Sequence, residues 1–401
     1  MKILLANKFY YRRGGAEVYM INLEELLKDK GHDVAVFAMQ HPQGIESPFS
    51  KYFPSAVEYG KTNAKQLRLL VTRPFGTKEV QRKFTALLDS FQPDVVHFNN
   101  IHSQLSPVIA QIAYERGVRI IWTIHDYKML CPRYDCLRKD EQICELCFTN
   151  KKHVLTNRCM KNSFFASLIA YLEAQKWTKE KLEKYTNVFI CPSLFMADKM
   201  IQGGFDRNKV TVLNNFIDIG KLQSDDFNKE NYYCYIGRLS HEKGIKTLIT
   251  ASKQLPFHLK IIGGGPMLEE LQQFVRDCDT ANRIEFVGYK QWDGIKEIVG
   301  KARFMVIPSE WYENNPLSVI ESLCLGTPVL GANIGGIPEL IKEGKTGMLF
   351  ESRNVEDLKA KIERMFSVNF DYLQIAKELQ NHFSAERYYQ ELIKLYNVNG
   401  N

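Results

Sequence analysis

Residues 303–332 read RFMVIPSEWYENNPLSVIESLCLGTPVLGA. RFMVIP and TPVLGA are short apolar runs of strand length. Between them Asn315 suits a helix N-cap, Pro316 the first helical position and Gly326 the stop, which predicts a helix over about Pro316–Leu325. Strand, helix, strand is the unit of a parallel sheet, because parallel neighbours need a crossover of that length. Glu313 and Glu321, with seven residues between them, then fall in different places, one in the loop before the helix and one in its second turn. The unpaired N–H groups of Leu317 and Ser318 lie between the two carboxylates. Such a helix mouth holds an anion, with a hydroxyl acceptor on either side. The plainer reading is two surface acids favoured by the helix dipole.

The same alternation extends outward in both directions. KILLAN, HDVAVFA, DVVHFN, VRIIWTI, NVFICPS and KVTVLNN lie before residue 216, and YYCYIG, HLKIIGGG and RIEFVGY lie after it. Helix-length segments such as AEVYMINLEELLKDKG, with Val18, Ile21, Leu23, Leu26 and Leu27 near the helical period, separate most of them. The pattern predicts an α/β protein of two doubly wound, Rossmann-like domains facing one another, with ligands in the cleft between strand C-terminal ends. A length of 401 residues agrees with two cores rather than one. The polar stretch from Asp218 to Asn231 reads as the linker.

Three loops after strands carry groups suited to a charged ligand. Gly14 and Gly15 follow Arg12 and Arg13 at the first strand-to-helix turn. Glycines there admit a close ligand and the helix N-terminus favours an anion, though a tight turn with two exposed arginines explains the residues equally well. Gly263, Gly264, Gly265 and Pro266 follow HLKII in the same way. Arg238 and Lys243 sit together in the loop after YYCYI, where two cations neutralise a diphosphate or simply face solvent.

The ordered set of a glycine pair after the first strand, G-R-L-x-x-E-K-G, G-G-G-P, F-V-G-Y, and E-x(7)-E followed by G-T-P-V-L and G-G-I-P-E-L-I resembles the retaining glycosyltransferases of the GT-B fold, family four. These belong with the glycogen-synthase and phosphatidylinositol-mannosyltransferase-like superfamily. The resemblance implies transfer of a sugar from a nucleoside diphosphate donor, with UDP expected as the nucleotide, to a glycan or lipid-linked glycan in surface polysaccharide synthesis. It implies that Arg238 and Lys243 grip the diphosphate, Glu321 accepts from the ribose, and Glu313 contacts the donor sugar with Asn314 and Asn315 beside it. Gly263, Gly264 and Tyr289 line the nucleotide pocket, Gly14 and Gly15 approach donor or acceptor, and His125 lies near the transferred sugar. The family usually has glycine where Asn314 stands, which leaves the sugar open. The resemblance also implies a last helix that crosses back, giving domains 1–214 plus 382–401 and 215–381. No catalytic metal is expected, since Asp277-Cys278-Asp279 ends an apparent helix where alternate side chains diverge. Two other readings are a nucleotide-sugar epimerase of the same fold and a non-catalytic nucleotide-sugar-binding partner of a transferase.

The net charge of +7 fits a phosphorylated ligand or an anionic membrane, and no basic stripe interleaved with aromatics points to nucleic acid. No leader or spanning segment is read, so a cytoplasmic location is expected, with peripheral contact at the inner face of the membrane as the accompanying possibility. Within the 131–159 insertion, Cys144-x-x-Cys147 has metal-ligand spacing. The expectation is structural zinc on Cys144, Cys147, Cys159 and one of Cys131 or Cys136, the alternative being packed reduced thiols. The following segment KNSFFASLIAYLEAQKWTKEKLEKY forms a basic amphipathic helix with Phe164, Phe165, Leu168, Ile169 and Leu172 on one face. Such stripes pack into a core more often than onto lipid, so core is the expectation.

Overall fold

The computed structural model describes residues 1–57, 64–138, 142–222, 227–277 and 282–397. Cys278 and Asp279 of the aspartate string lie outside them. The chain divides into two units, the first Met1–Asn214 with Tyr388 onward and the second Asn215–Arg387.

The first unit carries β1 (Lys2–Ala6), β2 (Asp33–Phe37), β3 (Val95–Phe98), β4 (Arg119–Thr123), β5 (Val188–Cys191) and β6 (Val210–Val212). They form one parallel sheet of six strands in the order β2-β1-β3-β4-β5-β6. Its central strands are buried on both faces, as helix-covered parallel sheets require, with Ile3 to Ala6 and Val95 to Phe98 nearly inaccessible. The helix Ala385–Asn397 supplies this unit with a stripe of Tyr388, Leu392 and Tyr396 at i, i+4, i+8 spacing. Tyr396 Oη meets His97 Nδ1 at 2.6 Å, and His97 Nε2 meets Thr123 Oγ1 at 2.7 Å. Tyr388 hydrogen-bonds Tyr19. These bonds satisfy groups the stripe brings into an apolar interior.

The second unit carries β7 (Tyr232–Ile236), β8 (His258–Ile262), β9 (Ile284–Gly288), β10 (Met305–Ile307), β11 (Val329–Ala332) and β12 (Gly347–Phe350). All six are parallel, in the order β12-β11-β10-β7-β8-β9. From β7 the chain winds outward through β8 and β9, then returns to β10 and winds the other way. β7 and β10 are therefore neighbours whose following connections depart in opposite directions, and this switch point opens a crevice at their C-terminal ends.

Two expectations are corrected. The helix after β10 runs Leu317–Cys324, with Pro316 as its N-cap and no side-chain cap. Asn315 does not cap it because its Oδ1 accepts from Asn215 N–H at 2.9 Å and its main-chain O accepts from Asn215 Nδ2 at 2.8 Å. The basic helix, Phe164–Lys176, does not bury its apolar stripe: Ser167, Ala170 and Glu173 face inward, whereas Phe164, Phe165 and Leu172 are exposed. Its inward face seats on a small cluster of Cys147, Val154 and Cys159, which favours a small residue such as Ala170 over phenylalanine.

The β7 and β10 loops are pressed together where Gly244, at φ +67°, approaches Pro308; a Cβ there would lie 1.9 Å from its carbonyl oxygen. Gly244→Ala is expected to cost roughly 2 kcal/mol or more and to lower Tm by about 5 °C. Thermal unfolding followed by circular dichroism checks this, and an unchanged Tm would refute the close packing of the two loops.

Candidate functional site

Four loops follow strand C-terminal ends around the switch point of the second unit. Residues 237–244 follow β7, 263–266 follow β8, Tyr289 follows β9 and 308–316 follow β10. Gly263, at φ +134°, allows the β8 loop to lie against Gly237, whose oxygen a Cβ would approach to 2.0 Å. Nothing lies within 4 Å of the position a Gly264 Cβ would take, and Tyr289 is 75% exposed at the rim.

The β7 and β10 loops are joined by charge. Lys243 Nζ donates to Glu313 Oε1 at 2.6 Å, and the same oxygen accepts from Ser309 Oγ at 2.6 Å and Trp311 Nε1 at 3.0 Å. Lys243 also sits over the Trp311 ring, 5.0 Å from its centroid. Glu310 N–H donates to Glu242 O at 2.9 Å, a second bond between the loops. Burial would raise the Glu313 pKa, but Lys243 and the Ser309 and Trp311 donors hold it below the usual carboxylate range. Oε2 of Glu313 has no partner among the described residues, and an ammonium has three donors, so both groups keep capacity for a ligand. Ser309 and Trp311 were not singled out in the sequence. The loop bends at Glu310 and Trp311, and Glu313 N–H donates to Trp311 O at 3.0 Å, a local fold that no spacing in the sequence marks.

Beside this pair are groups without partners among the described residues. Arg238 is exposed and its guanidinium makes no hydrogen bond or ion pair. The N–H groups of Leu317 and Ser318 open the helix Leu317–Cys324 and find no acceptor. Glu321, one turn on, is partly buried with no side-chain partner, and burial pushes its pKa up to about 7. A carboxylate crowded in this way lacks the hydrogen bonds that would hold its charge. Asn314 is half-buried beside Glu313, whereas Asn315 is buried and turned to Asn215. The sequence-read residues Arg238, Lys243, Gly263, Gly264, Glu313, Asn314, Leu317, Ser318 and Glu321 all belong to this one sheet edge.

The first unit presents a separate group of predicted residues at its own switch point between β1 and β3. Gly14 is the extended N-cap of the helix Gly15–Asp29, without a side-chain cap. Arg12 pairs with Glu25 at 3.2 Å, and Arg13 lies over the Phe9 ring at 4.7 Å, so both arginines have partners within the unit. His125, just past β4, donates Nε2–H to Asn99 Oδ1 at 2.8 Å. Burial, reinforced by Lys8, lowers its pKa to about 3, so the ring is neutral and Nδ1 remains an acceptor.

The insertion cysteines form another cluster. Cys131, Cys136, Cys147 and Cys159 are buried and Cys144 is half-buried, all as free thiols. Cys131 is hydrogen-bonded to both Cys136 and Cys147. Among the described residues, no group of three or more His, Cys, Asp and Glu is placed to hold a metal ion. Also among the described residues, no helix is long and apolar enough to cross a membrane.

Two parallel α/β units with phosphate-suited loops at their switch points define a class that the comparisons make specific. Across 98% of this chain and 98% of the other, the structure overlays Anabaena HepE solved in complex with UDP-glucose, with a TM-score of 0.68 and 18% identity. That likeness establishes the GT-B glycosyltransferase fold. Residues 13–221 match the family described as Glycosyltransferase Family 4, and residues 221–385 match that described as Glycosyl transferases group 1. The chain belongs to Glycosyltransferase Family 4. An uncharacterized glycosyltransferase of Methanocaldococcus jannaschii is 28% identical over 213 residues, which cover 52% of this chain and 58% of that protein. An uncharacterized 42.6 kDa protein in the cps region of Klebsiella pneumoniae is 28% identical over 356 residues, 85% of this chain and 87% of its own.

Glu321 yields a pH-dependent prediction. Its raised pKa means the native state binds this proton more tightly than the unfolded chain, so Glu321 weakens the fold as pH rises from the ordinary carboxylate range through about 7. Glu321→Gln is therefore expected to raise Tm by a few degrees near pH 8 and to leave it unchanged near pH 5. Melting curves at both values check this; an equal effect at both would remove the desolvated carboxylate.

Proposed function

We propose that this chain is a retaining glycosyltransferase that moves a sugar from a nucleoside diphosphate sugar to a glycan or lipid-linked glycan in surface polysaccharide synthesis. The observation that carries the reading is the second unit's switch point. It sets two cations, a helix mouth with unpaired N–H groups and two carboxylates with free acceptor capacity along one edge. Arg238 and Lys243 bind the diphosphate, with the Leu317 and Ser318 N–H groups beside them. Glu321 accepts from the ribose hydroxyls, and Glu313 Oε2 and Asn314 from the donor sugar. Gly263, Gly264 and Tyr289 border the nucleotide. Asn315 acts through the loop's shape rather than by touching the sugar, because Asn215 occupies its Oδ1 and main-chain oxygen. In the first unit, Gly14, Gly15 and the Nδ1 acceptor of His125 serve the acceptor.

Transfer proceeds without a catalytic metal, since Arg238 and Lys243 carry the charge that develops on the departing diphosphate. The bond between the anomeric carbon and the diphosphate oxygen breaks while the acceptor oxygen bonds to the same face. The leaving phosphate oxygen takes the acceptor's proton. Glu313 stays ionised under its three donors and is unsuited to act as the acid of a glycosidase-type pair. UDP is the proposed nucleotide, supported by the UDP-glucose complex of the Anabaena protein. The cps-region relative supports a polysaccharide product, and a lipid-linked acceptor would place the reaction at the cytoplasmic face of a membrane.

Lys243→Ala is expected to lower turnover by more than about tenfold, read as new glycosidic product from a UDP-sugar pool and a lipid-linked glycan extract. Near-normal turnover removes Lys243 from the role. Recovery of an altered free nucleotide sugar, with no new glycosidic bond, replaces transfer by epimerisation.

A further inference from the structure

The helix Phe164–Lys176 is seated against the grain of its composition. Phe165 is 75% exposed, Phe164 47% and Leu172 45%, with Leu168 and Ile169 half-buried on the same outward stripe at i+3 and i+4 from Phe165. Polar clamps fix this rotation. Glu173 accepts from the N–H and Oγ of Ser103 at 3.0 and 2.9 Å and pairs with Lys128 at 2.9 Å. Ser167 Oγ accepts from Met160 N–H at 3.1 Å. Turning the phenylalanines inward would break these bonds and leave a buried carboxylate unpaired. Ser103 and Lys128 follow β3 and β4, so the helix is anchored at the sheet edge that also carries Gly14, Gly15 and His125.

The charge of the segment that contains the helix is one-sided. From Leu146 to Thr178 the chain has the cations Lys151, Lys152, Arg158, Lys161 and Lys176 and a single carboxylate, Glu173. Lys152, Arg158, Lys161 and Lys176 are exposed, whereas Glu173 is buried and paired. An exposed apolar stripe in a segment whose exposed charges are cations, with no exposed carboxylate on the helix itself, is complementary to a bilayer carrying anionic headgroups. Its apolar side chains enter the acyl boundary while the lysines and arginine meet the headgroups. A second copy of the chain would instead bring like charges together across the contact.

We propose that the outward face of the helix Phe164–Lys176 docks the first unit onto an anionic lipid bilayer. Docking holds the β1, β3 and β4 loops of this unit close to the surface from which a lipid-linked acceptor is presented. The surface assignment is independent of the nucleotide reading, and the test keeps the two apart.

The full-length untagged protein is floated with vesicles of phosphatidylcholine containing about one-third phosphatidylglycerol, and with phosphatidylcholine alone. Flotation is expected with the anionic vesicles only, weakening as salt is raised. Phe165→Ser with Leu172→Ser, and separately Lys152→Glu with Lys161→Glu, are expected to reduce the floated fraction by about tenfold. Both variants should keep the wild-type Tm and its shift with UDP, which shows that unfolding does not explain the loss. Failure of the wild type to float on anionic vesicles overturns the proposal, as does undiminished flotation of the serine variant. A concentration-dependent dimer in light scattering that the serine variant abolishes, with no flotation, assigns the face to a second copy and likewise overturns it.

Discussion

Lys243 and Glu313 come from loops that leave the sheet in opposite directions, and their contact depends on the strand order around it. β7 and β10 must be neighbours, Gly244 must pass against Pro308, and Glu313 must be oriented by Ser309 and Trp311 before the charges meet at 2.6 Å. A salt bridge in this setting is not chiefly a stabilising device, because desolvating both charges offsets much of their attraction. It fixes geometry. Lys243 is held with donors to spare, and Glu313 is held ionised with one oxygen open.

The helix Leu317–Cys324 adds the complementary half. Its first N–H groups are unpaired and Glu321 is crowded without partners, while the Lys243–Glu313 pair is held in place by its own hydrogen bonds. One part of the edge is therefore pre-organised and another is under-satisfied. This combination favours a ligand that brings both negative charge and hydroxyl groups, as a nucleoside diphosphate sugar does. On the proposed reading, the stability lost to an unpaired Glu321 is regained when ribose hydroxyls supply its hydrogen bonds, the usual trade between a binding site and the fold that carries it.

Much of this was legible in the sequence because parallel α/β sheets write themselves as apolar runs separated by helical periods. The runs from KILLAN to TPVLGA all fall on strands, and the loops after YYCYI, HLKII and RFMVIP carry the charged and glycine residues of the edge. GMLF was not read as β12, having neither a β-branched residue nor an alternation to mark it. Asn315 looked like a helix cap because local spacing cannot reveal a partner 100 residues away. The apolar stripe of Phe164–Lys176 looked like core because hydrophobicity normally decides which face turns inward. Here Glu173, Ser167 and the cysteine-lined seat decide instead, and the partner of Glu173, Ser103, lies 70 residues away in sequence.

The central claim is that the loops after β7 and β10, with the helix Leu317–Cys324, form one nucleotide-diphosphate site. Hydrogen–deuterium exchange of the full-length protein with and without UDP tests it directly. The account predicts slowed exchange confined chiefly to the backbone of residues 237–244, 263–265 and 313–321, including the N–H groups of Leu317 and Ser318. Protection elsewhere, with these three segments unchanged under saturating UDP, would contradict it.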